Sequence, residues 1–319
     1  MAERVLVIGA CGFIGRAVSA ALHRSGAAVY GFDLAAHRGN PPPDIDFIDG
    51  SVTDRPALSR AVQRIAPNAI VSLAAFSRPS TGLAISAEAD RDAAFAVNVD
   101  GLRNVVEAGL EHGVRRIVWS SSTVVLGPAK SGATLDERAP LNPVNTYGLT
   151  KALAEQISRY ARDVMGFDIA AVRPTLVLGP DHPYSGVLDP IKRLLAHRRE
   201  DGPFDLEWGS HAFDIVHVED VAAAIAALCR RTERLSALYH VNGGATTIGD
   251  IVETVMTLRP GLDVRLSAVE PDVVYPLIAA DRIAAEMGLT PRFTPQEIIA
   301  DCLGQSNLHR EESKGGIYV

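Results

Sequence analysis

The stretch VLVIGACGFIGRAV, residues 5–18, places Gly9, Gly12 and Gly15 in a GxxGxxG pattern. Four apolar residues before the first glycine predict a buried strand, and the run after Gly12 predicts a helix. In such a strand–turn–helix unit the first glycine permits the tight turn and the second lets a pyrophosphate approach the backbone. The third glycine packs the helix against the sheet. The stretch therefore predicts a dinucleotide site at the positive end of this helix.

An acidic residue follows the next apolar run, VYGFDL, at Asp33. A carboxylate at the end of the second strand accepts hydrogen bonds from an adenosine ribose and repels a 2′-phosphate, so we expect NAD rather than NADP. His37 and Arg38 follow closely and could hold a 2′-phosphate, which leaves NADP open as the cofactor. The alternative is a tight glycine turn followed by an ordinary surface aspartate.

Short β-rich runs alternate with helical patterns through the first 175 residues. We expect strands at 5–8, 28–32, 46–48, 69–73, 117–120 and 169–172, and helices at 13–24, 54–65, 90–111 and 146–165. Several of the strand candidates are apolar throughout, as strands are when both faces of a parallel sheet are covered. The sequence therefore predicts an α/β protein with a Rossmann-type, doubly wound parallel sheet.

The alternation becomes less regular beyond Gly179. We therefore expect residues 1–179 to form the dinucleotide-binding domain, with 211–232 returning to it. A smaller C-terminal α/β substrate-binding region is expected from residues 180–210 and 233–305. Residues 306–319 are expected to form a polar, loosely held tail.

Composition limits the location and the partners of the chain. Its 319 residues can bury a full core, its mean hydropathy is +0.11, and no apolar run approaches the roughly 20 residues of a membrane helix. The run VLVI is too short for a signal-peptide core, and the three cysteines are odd in number and far apart. We expect a cytoplasmic protein without a membrane partner. A net charge of −7, with HRRE at 197–200 as the densest cationic cluster, makes nucleic acid an unexpected partner.

The segment NTYGLTKALAEQ, residues 145–156, raises a question of proton transfer. If it is helical, Tyr147 and Lys151 lie one turn apart on the same face. A free phenol has a pKa near 10 and is a poor base at neutral pH, but an adjacent ammonium and an oxidised nicotinamide both stabilise the phenolate. Alone, the pair would be surface residues. Together with the glycine pattern, Asp33 and a serine at a strand end, it predicts a proton-transfer pair.

Several motifs together resemble one family. GxxGxxG is followed by VSLAA (71–75), NVDGLRNVVEA (98–108), WSSS (119–122), YGLTK (147–151), VRPTLVLGP (172–180) and FDIVHVEDVA (213–222). This set resembles the extended short-chain dehydrogenase/reductase family, the group that contains nucleotide-sugar epimerases and dehydratases. The match covers most of residues 1–225.

The resemblance implies roles for individual residues. Tyr147 corresponds to the general acid/base, Lys151 to the lysine that binds the nicotinamide ribose and lowers the tyrosine's pKa, and Ser122 to the residue that hydrogen-bonds the substrate oxygen. The resemblance also implies cofactor contacts from Gly9, Gly12, Phe13, Ile14, Gly15, Asp33, Ser51, Val52, Leu73, Ala74, Ala75, Asn98, Tyr147, Lys151 and Pro174. A homodimer that pairs the helices at 90–111 and 146–165 is implied as well.

The chain departs from the family where nucleotide sugars are bound. Phe213 stands in place of an arginine that holds the substrate diphosphate, and Leu176 in place of an asparagine. Losing a charged clamp removes a strong phosphate interaction, so we expect a substrate without a nucleoside diphosphate. Thr123-Val124 replaces the Asp-Glu pair of the dehydratases, so dehydration is not expected.

Two reactions and one non-catalytic role remain. We favour an oxidoreductase that interconverts a secondary alcohol and a ketone, or a lactol and a lactone, on a small sugar-like or other non-nucleotide molecule. The alternatives are a nucleotide-sugar 4-epimerase and a non-catalytic NAD(P)-binding sensor. No His/Asp/Glu cluster has metal-ligand spacing, so no metal is expected. The candidate substrate contacts are Ser77, Arg78, Thr123 and Thr175.

Overall fold

The computed structural model describes residues 3–35, 45–78, 81–130, 132–183, 186–270 and 274–304, and the structural statements below refer to these residues. His37, Arg38 and the predicted tail at 306–319 lie outside the described residues. Numbered along the chain, the strands are β1 (Arg4–Ile8), β2 (Ala28–Asp33), β3 (Asp46–Asp49), β4 (Ala69–Ser72), β5 (Arg116–Ser120), β6 (Thr134–Leu135), β7 (Asp168–Pro174), β8 (Leu176–Leu178), β9 (Phe204–Trp208), β10 (Phe213–His217), β11 (Leu238–Val241), β12 (Gly244–Thr246), β13 (Val264–Ala268) and β14 (Leu277–Ile278). The helices are α1 (Phe13–Arg24), α2 (Arg55–Ile65), α3 (Leu83–Ala89), α4 (Arg91–Phe95), α5 (Gly101–Glu111), α6 (Thr146–Asp163), α7 (Asp189–Ala196), α8 (Val218–Arg230), α9 (Ile248–Leu258), α10 (Asp281–Met287) and α11 (Pro295–Cys302).

The main sheet of the described chain has seven strands in the order β11-β7-β5-β4-β1-β2-β3. Each neighbouring pair is parallel. The chain winds outward from β1 toward β3 and then returns to β4 on the other side. The carboxyl ends of β1 and β4 therefore flank the crevice at which doubly wound sheets bind ligands. This topology confirms the predicted Rossmann-type sheet.

Both faces of the main sheet are covered, as the apolar strands predicted. On one face α1 and α8 pack together through residues such as Leu22 and Ile225, both fully buried. On the other face α2, α5 and α6 pack through a second apolar core that includes Leu58 and Val105. Helix α2 begins after Asp54, whose carboxylate accepts a hydrogen bond from the Ala57 backbone N–H at 3.0 Å.

A smaller apolar core lies in the C-terminal region. Strands β12, β10 and β8 form a three-stranded sheet, and β13 pairs with β9 in a two-stranded one. Helices α7, α9 and α11 contribute Ile191, Val255 and Ile298 to this core, with Phe204 and Ile215 from the strands. The described chain thus contains a second α/β region in addition to the main sheet, as the sequence predicted.

The division of the chain differs from the expectation at two elements. Strand β11 was expected in the substrate-binding region, but it pairs with β7 and forms the edge of the main sheet. Within residues 211–232, helix α8 returns to the main sheet whereas strand β10 pairs with β8 and β12. Short strands carry no periodic signal that tells which sheet they join, because the pairing partner is chosen by tertiary contacts.

The helix expected at 90–111 is present and runs without a gap from Arg91 to Glu111, but it contains a π-helical turn. It consists of α4, a π-helical turn at Ala96–Asp100, and α5. Helix α3, directly before it, has no counterpart among the predicted elements. Helix α6 begins at the predicted residue, with Asn145 accepting a hydrogen bond from the Gly148 backbone N–H at 2.8 Å. In the part of the chain that the structure describes, no helix is both long enough and apolar enough to cross a membrane.

Candidate active site

The glycine turn joins β1 to α1 at the centre of the main sheet. Gly9 has a positive φ of 81°, and a Cβ there would lie 3.0 Å from the Ala74 backbone nitrogen of the neighbouring crossover. A Cβ on Gly15 would lie 2.0 Å from the Gly9 carbonyl oxygen. Gly12 caps α1 without a side-chain hydrogen bond, and no acidic residue lies in the first turn. The positive end of α1 is therefore accessible to an anionic group, as the sequence predicted.

Asp33 lies at the end of β2 beside this turn and is buried. Its carboxylate accepts hydrogen bonds from the backbone N–H of Cys11 at 2.9 Å and of Leu34 at 2.8 Å. These bonds hold the carboxylate between the glycine turn and the strand end, facing the cavity described next. An acid at this place is suited to the hydroxyls of an adenosine ribose.

One cavity of about 950 Å³ extends from the glycine turn to Tyr147. Most of the predicted cofactor residues lie on its wall: Gly9, Gly12, Phe13, Ile14, Gly15, Asp33, Ser51, Val52, Leu73, Ala74, Ala75, Tyr147, Lys151 and Pro174. Ser122, Ser77 and Thr175 line it as well. The structure thus brings the glycine turn and the candidate residues Ser122, Tyr147 and Lys151 to one continuous space. Its volume is at the upper end of the range of roughly 300–1,000 Å³ that is usual for ligand pockets.

Tyr147 and Lys151 lie on the same face of α6, one turn apart, and both are buried. The ammonium of Lys151 donates a hydrogen bond to the Ser120 carbonyl oxygen at 2.8 Å and lies 5.9 Å from the centre of the Tyr147 ring. Burial lowers the pKa of Lys151 to about 8, and the nearby charge of Glu155 opposes this decrease. The cation is thus fixed by the end of β5 beside the phenol ring.

Ser122 lies just after β5 and begins a short 3₁₀ turn at Thr123–Leu126. Its Oγ accepts a hydrogen bond from the Val124 backbone N–H at 3.3 Å, which uses a lone pair of the oxygen and leaves the hydroxyl hydrogen for donation to a ligand. Thr123 is directed elsewhere. Its hydroxyl donates to the Pro174 carbonyl oxygen at 3.3 Å, and it is not among the residues on the cavity wall.

Asn98 was expected to contact the nicotinamide end of the cofactor, but it is buried behind the cavity wall. From the π-helical turn, its side-chain oxygen accepts from the Phe76 backbone N–H at 2.8 Å and its amide donates to Thr150 Oγ1 at 2.9 Å. Thr150 in turn donates to the Tyr147 carbonyl oxygen at 2.8 Å. Asn98 therefore joins the turn of α6 that carries Tyr147 to the loop after β4. A π-helical turn often marks such a functional position.

Arg78, like Thr123 and Asn98, is not among the residues on the cavity wall. Its guanidinium pairs with Asp90 at 3.2 Å on the exposed side of the loop after β4. A chain position directly after Ser77 suggested a substrate contact, but the carboxylate that caps α4 holds the side chain away from the wall.

The sequence reasoning missed a buried charge network behind Lys151. Glu155 accepts hydrogen bonds from Ser121 Oγ at 2.6 Å and from Arg173, whose Nε and Nη2 donate at 2.7 and 2.6 Å. Arg173 directly precedes Pro174 on β7, and its Nη1 lies 3.3 Å from His240 Nε2. An acid four residues after Lys151, on the buried face of an amphipathic helix, was the available signal. Buried carboxylates need a partner, so its position alone implied one.

The residues fit NAD. The accessible helix end suits its pyrophosphate, Asp33 suits a ribose diol, and the alanines after β4 leave room for backbone contact along the same wall. Bound there, NAD would supply a hydride acceptor or donor close to Ser122 and Tyr147. The glycine positions, where Cβ atoms would collide with backbone, support the fit independently of the electrostatics.

Comparison with known proteins identifies the family of the chain. The model of the NAD dependent epimerase/dehydratase family matches residues 5–244. A dTDP-4-keto-6-deoxy-D-glucose reductase of Streptomyces niveus is 29% identical over 295 residues, which cover 92% of this chain and 88% of that one. A 3 beta-hydroxysteroid dehydrogenase/Delta 5→4-isomerase of Mycobacterium tuberculosis is 33% identical over 178 residues. That match covers 55% of this chain and 47%, about half, of the relative.

Solved structures share the fold over nearly the whole chain. The dTDP-glucose 4,6-dehydratase DesIV of Streptomyces venezuelae, determined with NAD bound, superimposes with a TM-score of 0.78 at 25% identity and covers 98% of both chains. The chain belongs to the NAD-dependent epimerase/dehydratase family and is an NAD-dependent oxidoreductase of the extended short-chain dehydrogenase/reductase type.

Proposed function

We propose that this oxidoreductase interconverts a secondary alcohol and a ketone, or a lactol and a lactone, with net hydride transfer and on a substrate that carries no nucleoside diphosphate. In the oxidative direction, the Tyr147 phenolate accepts the proton of the carbinol oxygen while Ser122 donates a hydrogen bond to that oxygen. The hydrogen on the carbinol carbon leaves with its bonding electron pair as hydride, for which NAD bound at the glycine turn would be the acceptor. Lys151 stabilises the phenolate by its positive charge.

The observation that carries the substrate proposal is the charge of the cavity wall. Among the described residues on that wall, Lys151 is the only lysine or arginine, and it is already bonded to Ser120 behind Tyr147. The other charged wall residues are Asp33 and Asp189. A second diphosphate, beside the one that NAD carries, would meet no arginine fork and would lie near a carboxylate. Burying a diphosphate without a compensating positive charge costs on the order of several kcal/mol of binding free energy.

The two positions at which the sequence departs from nucleotide-sugar enzymes support the same proposal. Leu176 lies on the cavity wall and presents an apolar side chain. Phe213 is buried in the C-terminal core, with its ring centre 5.9 Å from that of Trp208. The names of two relatives give dTDP-sugars as their substrates. The affinity of this chain for nucleotides therefore has to be measured directly.

The test is a calorimetric titration of the purified protein, saturated with NAD, with UDP and with dTDP. We expect no binding of either nucleotide at concentrations that saturate nucleotide-sugar enzymes. Measurable affinity for UDP or dTDP would overturn the substrate proposal. Conversion of a UDP-sugar without net change in reduced nicotinamide would favour the 4-epimerase instead.

The catalytic role is tested with the variant Tyr147→Phe. Its turnover of a panel of alcohols and lactols is measured by the absorbance of reduced nicotinamide. Removing the phenolic oxygen should lower kcat by about 10²–10⁴-fold, the usual contribution of a positioned acid/base, while NAD binding persists. Unchanged turnover would contradict the proton-transfer role. If no panel member is oxidised by the native protein although NAD binds, the sensor alternative gains support.

We also propose that the chain forms a homodimer through α6. Leu149, Leu153, Tyr160 and Val164 are exposed apolar residues at helical spacing along one stripe of this helix and its end. Such a stripe is typical of a helix that packs against a partner. Light scattering should give twice the chain mass, and Tyr160→Glu should give the monomer mass. Met256→Glu, an equally conspicuous change at an exposed apolar residue of α9, is the control. A native monomer would contradict the proposal.

A further inference from the structure

The wall around Tyr147 is apolar. Phe76, Leu83, Ala84 and Val124 pack with the Tyr147 ring in one cluster, and all four line the cavity. Leu83 and Ala84 come from the start of α3, the helix that the sequence did not predict. A substrate that presents its hydroxyl to Ser122 and Tyr147 must therefore place the adjoining part of its skeleton against hydrocarbon.

Apolar side chains continue to the rim of the cavity. Ile85 of α3 and Val187 before α7 both line it, yet their side chains are 54% and 64% exposed. The backbones of the two segments approach each other here, since a Cβ on Gly186 would lie 3.5 Å from Gly82 Cα. Two exposed aliphatic side chains at the mouth of one cavity form a surface that an apolar ligand can cover.

The charge at this end of the cavity also favours an uncharged substrate. Asp189, at the start of α7, contributes a carboxylate to the wall near Val187. This charge disfavours anionic substrates, whether phosphorylated or carboxylated. Arg78, which could have compensated, is paired with Asp90 outside the cavity.

We propose that the substrate is a neutral secondary alcohol or ketone on a bulky apolar body, and that Ile85 and Val187 contact this body. The inference rests on the proposed function and narrows its substrate class. The polar groups of the wall, Ser122 and Thr175 among them, then orient one oxygen, while hydrocarbon contacts supply most of the binding free energy.

The first experiment compares alcohols of rising apolar size in the presence of NAD. The panel is cyclohexanol, a 3β-hydroxysteroid, glucose, lactate and UDP-glucose. We expect kcat/KM to increase from cyclohexanol to the hydroxysteroid, with glucose and lactate far below both. Preference for glucose or lactate, abolished by Tyr147→Phe, would refute this inference and leave the proposed function intact. Epimerisation of UDP-glucose without oxidation of any alcohol would refute both.

The second experiment tests the rim. Ile85→Ser and Val187→Ser should each lower kcat/KM for the hydroxysteroid roughly tenfold through KM, with cyclohexanol much less affected, because only the larger molecule reaches the rim. Met256→Ser removes a similarly exposed apolar side chain, on α9 and away from the cavity, and should change neither value. Equal effects of the rim variants on both alcohols, or no effect on the steroid, would contradict the contact.

Discussion

Glu155 and Arg173 form a two-point ion pair one helical turn beyond Lys151, with N–O distances of 2.7 and 2.6 Å and exposures of only 7% and 2%. The pair joins α6 to β7, and through Ser121 it also reaches the end of β5. Lys151 lies on α6, Pro174 ends β7, and Ser122 follows β5 after Ser121. The pair therefore stabilises the relative positions of the residues around the proposed reaction centre. Burial lowers the pKa of Lys151, and the negative charge of Glu155 opposes that decrease.

The first prediction concerns the pH dependence of activity. Because burial lowers the pKa of Lys151 to about 8, its ammonium is present below that pH and is lost above it. We expect kcat/KM to fall as the pH rises through about 8. Glu155→Gln removes the charge that opposes the decrease, so the alkaline limb should move to lower pH. The control is Glu253→Gln, the same chemical change at an exposed residue of α9. An alkaline limb that Glu155→Gln leaves in place would contradict the coupling.

The second prediction concerns stability. Glu155→Gln leaves the Arg173 guanidinium buried without a carboxylate, and breaking a buried pair in this way costs about 3–5 kcal/mol. The double variant Glu155→Gln with Arg173→Gln removes both charges and should recover part of that loss. Urea unfolding of Glu155→Gln, Arg173→Gln and the double variant gives the three changes in unfolding free energy of a double-mutant cycle. If the changes of the two single variants add up to that of the double variant, the pair is not coupled.

The third prediction concerns the glycine turn. A methyl group on Gly15 would overlap the Gly9 carbonyl oxygen, so Gly15→Ala should lower the free energy of unfolding by about 2 kcal/mol or more and abolish NAD binding. Gly249→Ala is the matched control in α9, where the nearest atom to the new Cβ is Thr247 Oγ1 at 3.5 Å. There, alanine should be neutral or stabilising by up to about 1 kcal/mol. Thermal unfolding of both variants, with and without NAD, measures the loss of stability and the loss of NAD binding. If Gly15→Ala and Gly249→Ala had the same melting temperature and the same shift with NAD, the close packing of the turn would be contradicted.

The fourth prediction concerns the choice of cofactor. Asp33 holds a carboxylate at the end of β2, and a carboxylate at this place in a Rossmann-type sheet repels a 2′-phosphate. We therefore expect Asp33→Asn to reduce the NAD-to-NADP ratio of kcat/KM by about tenfold, or 1.4 kcal/mol. The equivalent change at the exposed Asp205 of β9 should leave the ratio unchanged. An unaltered ratio in Asp33→Asn would mean that His37, Arg38 or other groups govern the choice.

The regular elements of the dinucleotide-binding sheet were predictable because their periodicity is local. Strand β1, helix α1 and the start of α6 lie where the apolar and helical patterns of the sequence predicted them. The four-residue spacing of Tyr147 and Lys151 likewise fixes their shared face once the segment is helical. Helix α3 escaped prediction because its seven residues are too few for a clear period.

The positions of side chains relative to the cavity were less predictable. The two residues before Asn98, Ala96 and Val97, line the cavity. Asn98 itself lies in the π-helical turn, and its side chain bonds to Phe76 and Thr150 instead. Arg78 follows Ser77 directly, yet it pairs with Asp90 outside. In both cases the side chain bonds to a residue at least 12 positions away in the sequence. The spacing of neighbouring residues does not indicate such a partner, so the bond could not be predicted from the sequence.

By itself, the sequence determined the glycine turn, the parallel sheet around it and the shared helix face of Tyr147 and Lys151, the proposed proton-transfer pair, because each depends on residue types at short, regular spacings. Only the tertiary structure decided that β11 joins the main sheet, that Glu155 pairs with Arg173 behind Lys151, and that Ile85 and Val187 line the same cavity. These relationships join segments far apart in the chain, and they exist only after packing has chosen which surfaces are buried against each other.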